Sequence, residues 1–260
     1  MSEAKKSDLP LRAVVGLGMI AVAAAALILG GMAFWLLAAI GAVVMISEWA
    51  GLQRASEQDK LAQFSLFVPV AIMCPWASGP HFLALGMLAG AAFFVVIVTR
   101  KPNLAAGVIY CGLPVFSLLL LRKQPDGLLF AFWAMALVWA TDIGAYFAGR
   151  NIGGPKLAPS ISPNKTWSGL IGGVVAAGVF GALMHWAYGL PWRLTLASPA
   201  LAVLAQAGDL YESALKRRAG VKDSGTILPG HGGVMDRLDG LVPVAPVAAF
   251  LAVVLPELYR

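Results

Sequence analysis

Apolar runs recur along the whole chain, broken by short polar or glycine-containing stretches. Roughly 17–25 consecutive apolar residues suffice for a helix to cross a bilayer. The pattern predicts nine such spans, at 12–29, 31–48, 61–77, 81–98, 104–121, 127–148, 167–188, 195–215 and 240–257. Gly30-Gly31 almost fuses the first two, predicting a tight helical hairpin there. The opening "MSEAKKSDLPLR", followed by an apolar run, imitates a signal peptide. With many further spans after it, it is read as an uncleaved first helix.

Composition fits this pattern. The 260 residues are 59% hydrophobic and 12% charged, where a soluble domain carries about 25% charge; mean hydropathy is +0.79. The expected fold is an all-α integral membrane protein, one continuous membrane domain over 1–260. In it 12–126 are N-terminal membrane helices, and 127–260 are catalytic helices and cytoplasmic loops. The aqueous loops are too short for a second folded domain. Net charge is +6, which in this context orients spans rather than binding nucleic acid. With the N-terminus in the cytoplasm, 15 of the 19 basic residues fall on the cytoplasmic side, so the positive-inside rule gives N-in and C-out. Arg122-Lys123 runs against it. Cys74 and Cys111 sit in apolar runs, form no CxxC, and read as small buried hydrophobes.

Against this background the polar positions are conspicuous. Asp142, in "WATDIGAYFAGR", lies in a predicted span, where a carboxylate is costly and faces a bundle interior or aqueous cavity. At helical spacing it shares a face with Tyr146 and Arg150. In "QAGDLYESALKRR", Asp209, Glu212, Ser213 and Lys216 share a face, and two acids one turn apart make a hard-oxygen site suited to Mg²⁺. Glu212 and Lys216 read equally well as an i,i+4 ion pair. "MDRLDG" places Asp236 and Asp239 at the start of the last predicted span; Asp239 is expected to cap that helix and Asp236 to bind metal.

Asp142, Asp209, Asp236 and Asp239 thus come from three predicted helices to one membrane face. Beside them stand Lys165, Lys216, Arg217, Arg218, Lys222 and Arg237. Carboxylates that hold divalent cations, next to cations that hold phosphate, are the components of phosphoryl transfer. "GHGG" at 230–233 can bring consecutive N–H groups to an anion, and Lys165-Thr166 precede a predicted helix, where an anion can also sit. There is no GxxxxGK[ST], so no P-loop. His231 lacks the Cys/His partners of a zinc site; it either donates to a phosphate or packs its loop.

The stretch "SALKRRAGVKDSGTILPGHGGVMDRLD", 213–239, resembles the signature of the phosphatidate cytidylyltransferases (CDP-diacylglycerol synthases). Ser213, Lys216, Arg217, Lys222, Asp223, Pro229, His231, Gly232, Gly233, Asp236, Arg237 and Asp239 all fall in place. "TDIGAYFAGR", "KLAPSISPNKTWSG" and "GDLYES" are similar too, so the likeness covers about 139–240. The first five spans match only in being apolar. The resemblance implies transfer of CMP from CTP to phosphatidic acid, with Mg²⁺ and room for a second cation such as K⁺. It implies about nine helices, a homodimer, and a bacterial inner-membrane protein whose polar pocket faces the cytoplasm. It also implies that Asp209, Asp236, Asp239, Lys216 and Arg237 are catalytic, and that Asp142, Asp209, Glu212, Asp236 and Asp239 hold metal. Substrate contacts would come from Lys165, Thr166, Ser213, Arg217, Lys222, Asp223, His231, Gly232 and Gly233. The rival readings are a cytidylyltransferase acting on another lipid phosphate, and an ion-coupled transporter. A CDP-alcohol phosphotransferase is disfavoured because "LDGLVP" does not continue as DGxxAR.

Overall fold

The computed structural model of the protein describes residues 3–228 and 232–257. In chain order its helices are α1 Glu3–Leu29, α2 Gly31–Leu52, α3 Asp59–Ile72, α4 Phe82–Thr99, α5 Pro102–Lys123, α6 Gly127–Asn151, α7 Trp167–Tyr188, α8 Trp192–Ala219, the single turn α9 Met235–Leu238, and α10 Leu241–Ala249. The last continues through a π turn, Phe250–Val254, into Leu255–Glu257. Between α6 and α7 lie two short strands, β1 Lys156–Ala158 and β2 Ser162–Thr166. The fold is therefore nearly, not wholly, all-α. The segment expected as a loop over 149–166 contains an antiparallel hairpin that pairs Lys156 with Thr166 and Ala158 with Ser162.

Helix covers most of each expected span. The third is the shortest: α3 stops at Ile72, followed by turns, instead of running to 77. Pro75 has no N–H to continue the ladder there. Among the described residues, five helices, α2, α4, α5, α6 and α7, are long and apolar enough to cross a membrane. Only 17% of the α4 window is buried within the chain. So apolar a surface, so little covered by protein, is one that lipid must cover. The protein is an integral membrane protein.

The chain forms two compact units, Met1–Leu119 with Ala219–Leu238, and Leu120–Arg218 with Asp239–Arg260. In the first, Gly30 and Gly31 adopt φ of 62° and 48°. These left-handed values are open to glycine, and they break one long apolar run into α1 and α2. Trp49 then fixes α2 against α5. Its ring stacks on Tyr110 at 4.7 Å between centroids, and its Nε1 donates to the Asn103 carbonyl at 2.8 Å. Gly107 makes room for it, since a Cβ there would lie 2.3 Å from Trp49 Cδ1.

In the second unit, α6 and α7 meet along a seam of small residues. A Cβ at Gly172 would lie 2.2 Å from Ala148 Cβ, and one at Gly144 would lie 2.4 Å from Ala176 Cβ. Without a hydrophobic drive between helices in lipid, such close backbone approach is what holds a pair together. Trp133 Nε1 donates to Ser198 Oγ at 3.0 Å, joining α6 to α8. A Cβ at Gly208 on α8 would lie 2.4 Å from the Asp239 carbonyl oxygen and 2.6 Å from Pro243 Cγ. That bare backbone seats the segment entering α10 beside Asp209.

Candidate active site

In the second unit, the hairpin and the ends of α6 and α8 bring several expected residues together. Lys165, on β2, reaches Asp209 on α8, with Nζ 2.5 Å from Oδ2. The same ammonium donates to Gln206 Oε1 at 2.8 Å, and Gln206 Nε2 donates to Asp142 Oδ1 on α6 at 3.3 Å. Ser213 Oγ donates to Asp209 Oδ1 at 3.3 Å. One polar chain thus runs Asp142–Gln206–Lys165–Asp209–Ser213. Asp239 joins the acidic group: burial pushes its carboxyl up to about 7, helped by the negative charge of Asp209 and more weakly of Asp142. The N–H of Gly240, 2.7 Å from Asp239 Oδ1, and the charge of Lys216 act the other way. In the helix that follows, Gly240 occupies the N-cap position and no side chain caps it.

The remaining expected residues of this unit have local partners. Thr166 is the N-cap of α7, its Oγ1 accepting from Gly169 N at 3.1 Å. Glu212 is fully buried and pairs with Lys216 at 3.1 Å, one turn on along α8. The i,i+4 pair read from the sequence exists, although inside the protein and not on a solvated turn. Arg217 is exposed, and its Nε donates to the Ile161 carbonyl at 3.4 Å. Arg150 donates to Tyr146 Oη at 2.6 Å, so that stripe continues outward from Asp142.

In the first unit, the segment around α9 carries Lys222, Asp223, Gly232, Gly233, Asp236 and Arg237. Pro229 and His231 lie outside the described residues. Asp236 Oδ2 accepts from Ser224 N at 2.8 Å, Ser224 Oγ at 2.9 Å and Gly233 N at 2.8 Å. Its carboxylate therefore organises its own loop. Lys222, Asp223 and Arg237 are exposed. Leu228 and Gly232 pair as an isolated antiparallel bridge. The backbone N–H groups of Gly233, Val234 and Met235 all donate to carboxylates of the protein: the first to Asp236, the next two to Glu48.

Of the five expected metal ligands, Asp142, Asp209 and Asp239 share the acidic group of the second unit. Glu212 is paired with Lys216, and Asp236 belongs to the first unit. Among the described residues, no three of His, Cys, Asp and Glu form a ready-made metal cage. Mg²⁺ needs none, since it keeps waters and is held by one or two carboxylates together with substrate phosphates. Asp239, its carboxyl raised by burial and by the charges of Asp209 and Asp142, and Asp209, paired with Lys165, form a hard-oxygen set suited to a divalent cation.

Two residues of these networks escaped the sequence reading. Gln206 bridges Asp142 and Lys165. Glu48, on α2, is buried at 6% exposure and bonds the loop around α9. A signal existed for Glu48: an acid at the end of a predicted span falls under the same rule that singled out Asp142. Gln206 carries no charge, and nothing in its spacing announced its role.

Comparison with known proteins agrees with the motif. The sequence profile of the cytidylyltransferase family matches residues 10–255. The chain belongs to the cytidylyltransferase family. Among its relatives, the phosphatidate cytidylyltransferase of Brucella suis biovar 1 is 39% identical over 236 residues, covering 88% of this chain and 87% of the relative. That of Bacillus subtilis is 46% identical over 147 residues, 55% of each chain. That of Staphylococcus haemolyticus is 32% identical over 240 residues, 87% of this chain and 92% of the relative. The family likeness thus extends well beyond the 139–240 region that carries the motif, into helices where the sequence showed only apolar character.

Proposed function

We propose that this chain transfers CMP from CTP to phosphatidic acid, giving CDP-diacylglycerol and pyrophosphate. The observation that carries this reading is the family match over residues 10–255, with relatives that bear the name of this activity. The acidic and basic groups supply a physical reason for it. One substrate is anchored in lipid and the other is a soluble polyanion, so they meet only where a polar site opens in an apolar protein.

An oxygen of the lipid phosphate attacks the α-phosphorus of CTP. The bond from that phosphorus to the oxygen bridging the β-phosphorus breaks, and pyrophosphate leaves with the electron pair. The attacking phosphate is already ionised near neutral pH, so positioning and electrostatics carry the step without a strong general base. Asp209 and Asp239, with Asp142, are the residues that would hold Mg²⁺. When bound, Mg²⁺ would neutralise charge on the phosphate oxygens and the leaving group. In the second unit Lys165, Lys216 and Arg217 are cations suited to phosphate; in the first, Lys222 and Arg237 have the same chemistry. Ser213 holds Asp209, and Thr166 fixes the start of α7 next to Lys165. A monovalent cation such as K⁺ is compatible with the acidic group.

The finer arrangement belongs to the same proposal: one membrane domain with nine spans, N-in and C-out. The site then opens to the cytoplasm across a bacterial inner membrane, in a homodimer. The balance of basic residues supports the orientation.

The test is turnover by the full chain purified in detergent, with CTP, phosphatidic acid and Mg²⁺ each omitted in turn, reading pyrophosphate and CDP-diacylglycerol. Product that needs both substrates and the ion supports the reading. Product from another lipid phosphate only would reassign the acceptor. No product from folded protein would move the family motif toward binding or ion-coupled transport.

A further inference from the structure

Glu48 stands far from the motif in sequence and close to it in space. Its Oε1 accepts from Val234 N at 2.9 Å, and its Oε2 from Met235 N at 2.8 Å and Ser224 Oγ at 3.2 Å. Two glycines of the loop close over it: a Cβ at Gly225 would lie 2.7 Å from Glu48 Oε1, and one at Gly233 would lie 2.6 Å away. Ser224 donates to both Glu48 and Asp236. Trp49, the next residue, is locked by its ring stack and by the bond to Asn103. The carboxylate therefore sits on a rigid support.

A buried carboxylate costs several kcal/mol in desolvation unless charge-assisted hydrogen bonds offset it. Here the bonds come from one loop only. Together Glu48 and Asp236 take up the N–H groups of residues 233, 234 and 235, turning them inward. A glycine-rich turn of this kind can present such groups to a phosphate. In this chain its own carboxylates take up the N–H groups of 233–235, and the side chains of Lys222, Asp223 and Arg237 are exposed.

We propose that Glu48 is a positioning residue for the proposed CMP transfer: by holding Ser224, Val234 and Met235 it fixes the stretches 222–225 and 232–237, which carry Lys222, Asp223 and Arg237. This rests on the activity proposed above. It also assigns substrate phosphate to side chains of this loop, not to the backbone N–H groups of 233–235.

The experiment compares wild type, Glu48→Gln, Glu48→Asp and Ser224→Ala as full chains in detergent. It measures kcat and KM for CTP and for phosphatidic acid, and amide hydrogen exchange along the chain. Gln keeps the shape but offers an NH₂ where an acceptor is required, so one of the two backbone donors loses its partner. Expected for Glu48→Gln is a fall in kcat of roughly 100-fold, the scale of a misplaced reacting group. Exchange should quicken at 224 and 233–235 and stay unchanged on α2 and α5. Glu48→Asp, which keeps the charge, should recover part of kcat. Ser224→Ala should lower kcat less and quicken exchange at the same amides; it stands in if the Gln variant does not fold.

Unchanged kcat and KM with faster loop exchange would overturn the positioning role. Unchanged exchange at 233–235 would overturn the contact itself. A loss of activity that only follows a loss of folded protein, with exchange raised everywhere, would reduce Glu48 to a stabilising residue. If the wild type makes no CDP-diacylglycerol, the proposed function fails. The exchange arm then still decides whether Glu48 holds the loop.

Discussion

Lys165 Nζ lies 2.5 Å from Asp209 Oδ2 and 2.8 Å from Gln206 Oε1, so a residue suited to phosphate and a residue suited to metal neutralise each other. If Mg²⁺ binds Asp209 and phosphate binds Lys165, as proposed above, one internal ion pair would give way to two external ones. Each ligand would then loosen the partner that the other needs.

The first prediction concerns that pair. Lys165→Gln leaves Asp209, and with it Asp142, without a near cation. Its thermal midpoint should fall in chelator and recover in part as Mg²⁺ is added, because the ion replaces the lost charge. Wild type should gain less from Mg²⁺. Equal gains in the two proteins would mean that the acidic group is not where Mg²⁺ acts. Asp209→Asn should lower kcat on the order of 100-fold, the scale of losing one preorganised electrostatic partner, while leaving the protein folded.

A second prediction follows from Asp239, whose carboxyl lies near 7 against an ordinary value of 3.8. A carboxyl raised on folding makes the folded state bind the extra proton between those two values. Its cost to stability is absent below about pH 4, grows as pH rises toward 7, and is fully present above it. Asp239→Asn removes that cost and keeps the acceptor for Gly240 N. In Mg²⁺-free buffer it should therefore raise the midpoint by a few degrees at pH 8, on a scale of about 2–4 °C per kcal/mol, with the gain vanishing near pH 4. The same variant should lose turnover. A pH-independent gain would place the effect outside Asp239 ionisation.

The third prediction separates capping from substrate binding at Thr166. Its hydroxyl accepts from Gly169 N at the start of α7. Loss of an N-cap costs typically about 1 kcal/mol. Thr166→Ala should lower the midpoint, and Thr166→Ser should restore it. A rise in KM for CTP in the Ala variant, beyond the stability loss, would give the hydroxyl a second task.

The fourth tests the α6–α7 seam. Gly172→Ala places a methyl 2.2 Å from Ala148 Cβ and should destabilise by about 1–3 kcal/mol, the usual cost of overpacking. Ala148→Gly in the same chain should recover much of that loss. A double variant no better than the single one would locate the strain elsewhere, at the Gly144 carbonyl 2.9 Å away.

Much of the fold was legible because apolar length is a strong signal: the expected spans fall on helices. The hairpin at 156–166 was not. Its strands, "KLA" and "SPNKT", are short and polar, and they arise from local pairing without any alternating face. Within the site, Asp142 and Asp209 stood out because a carboxylate in or beside a span is expensive. Their connection through Gln206 and Lys165 depends on contacts 41 and 64 residues apart in the chain, which spacing along one helix cannot reveal. From the sequence, Asp236 and Asp239 both read as metal ligands, with Asp239 also the expected cap of the last helix. The structure gives Asp236 three donors from its own loop and seats Asp239 beside Asp209, a difference set by the close approach at Gly208.

The order of synthesis gives one of these features a further meaning. The chain leaves its second unit at Arg218, spends residues 219–238 in the first, and returns at Asp239. Glu48 emerges from the ribosome early and waits for the loop that it will hold, and the acidic group gains Asp239 only after that loop has been made. A nascent chain halted between residues 209 and 239 therefore has Asp142, Asp209 and Lys165 but an unfinished acidic group. Such a fragment would lack Asp239, one of the three carboxyls proposed to hold Mg²⁺, so the proposed ion site is completed only by the last part of the chain to be made.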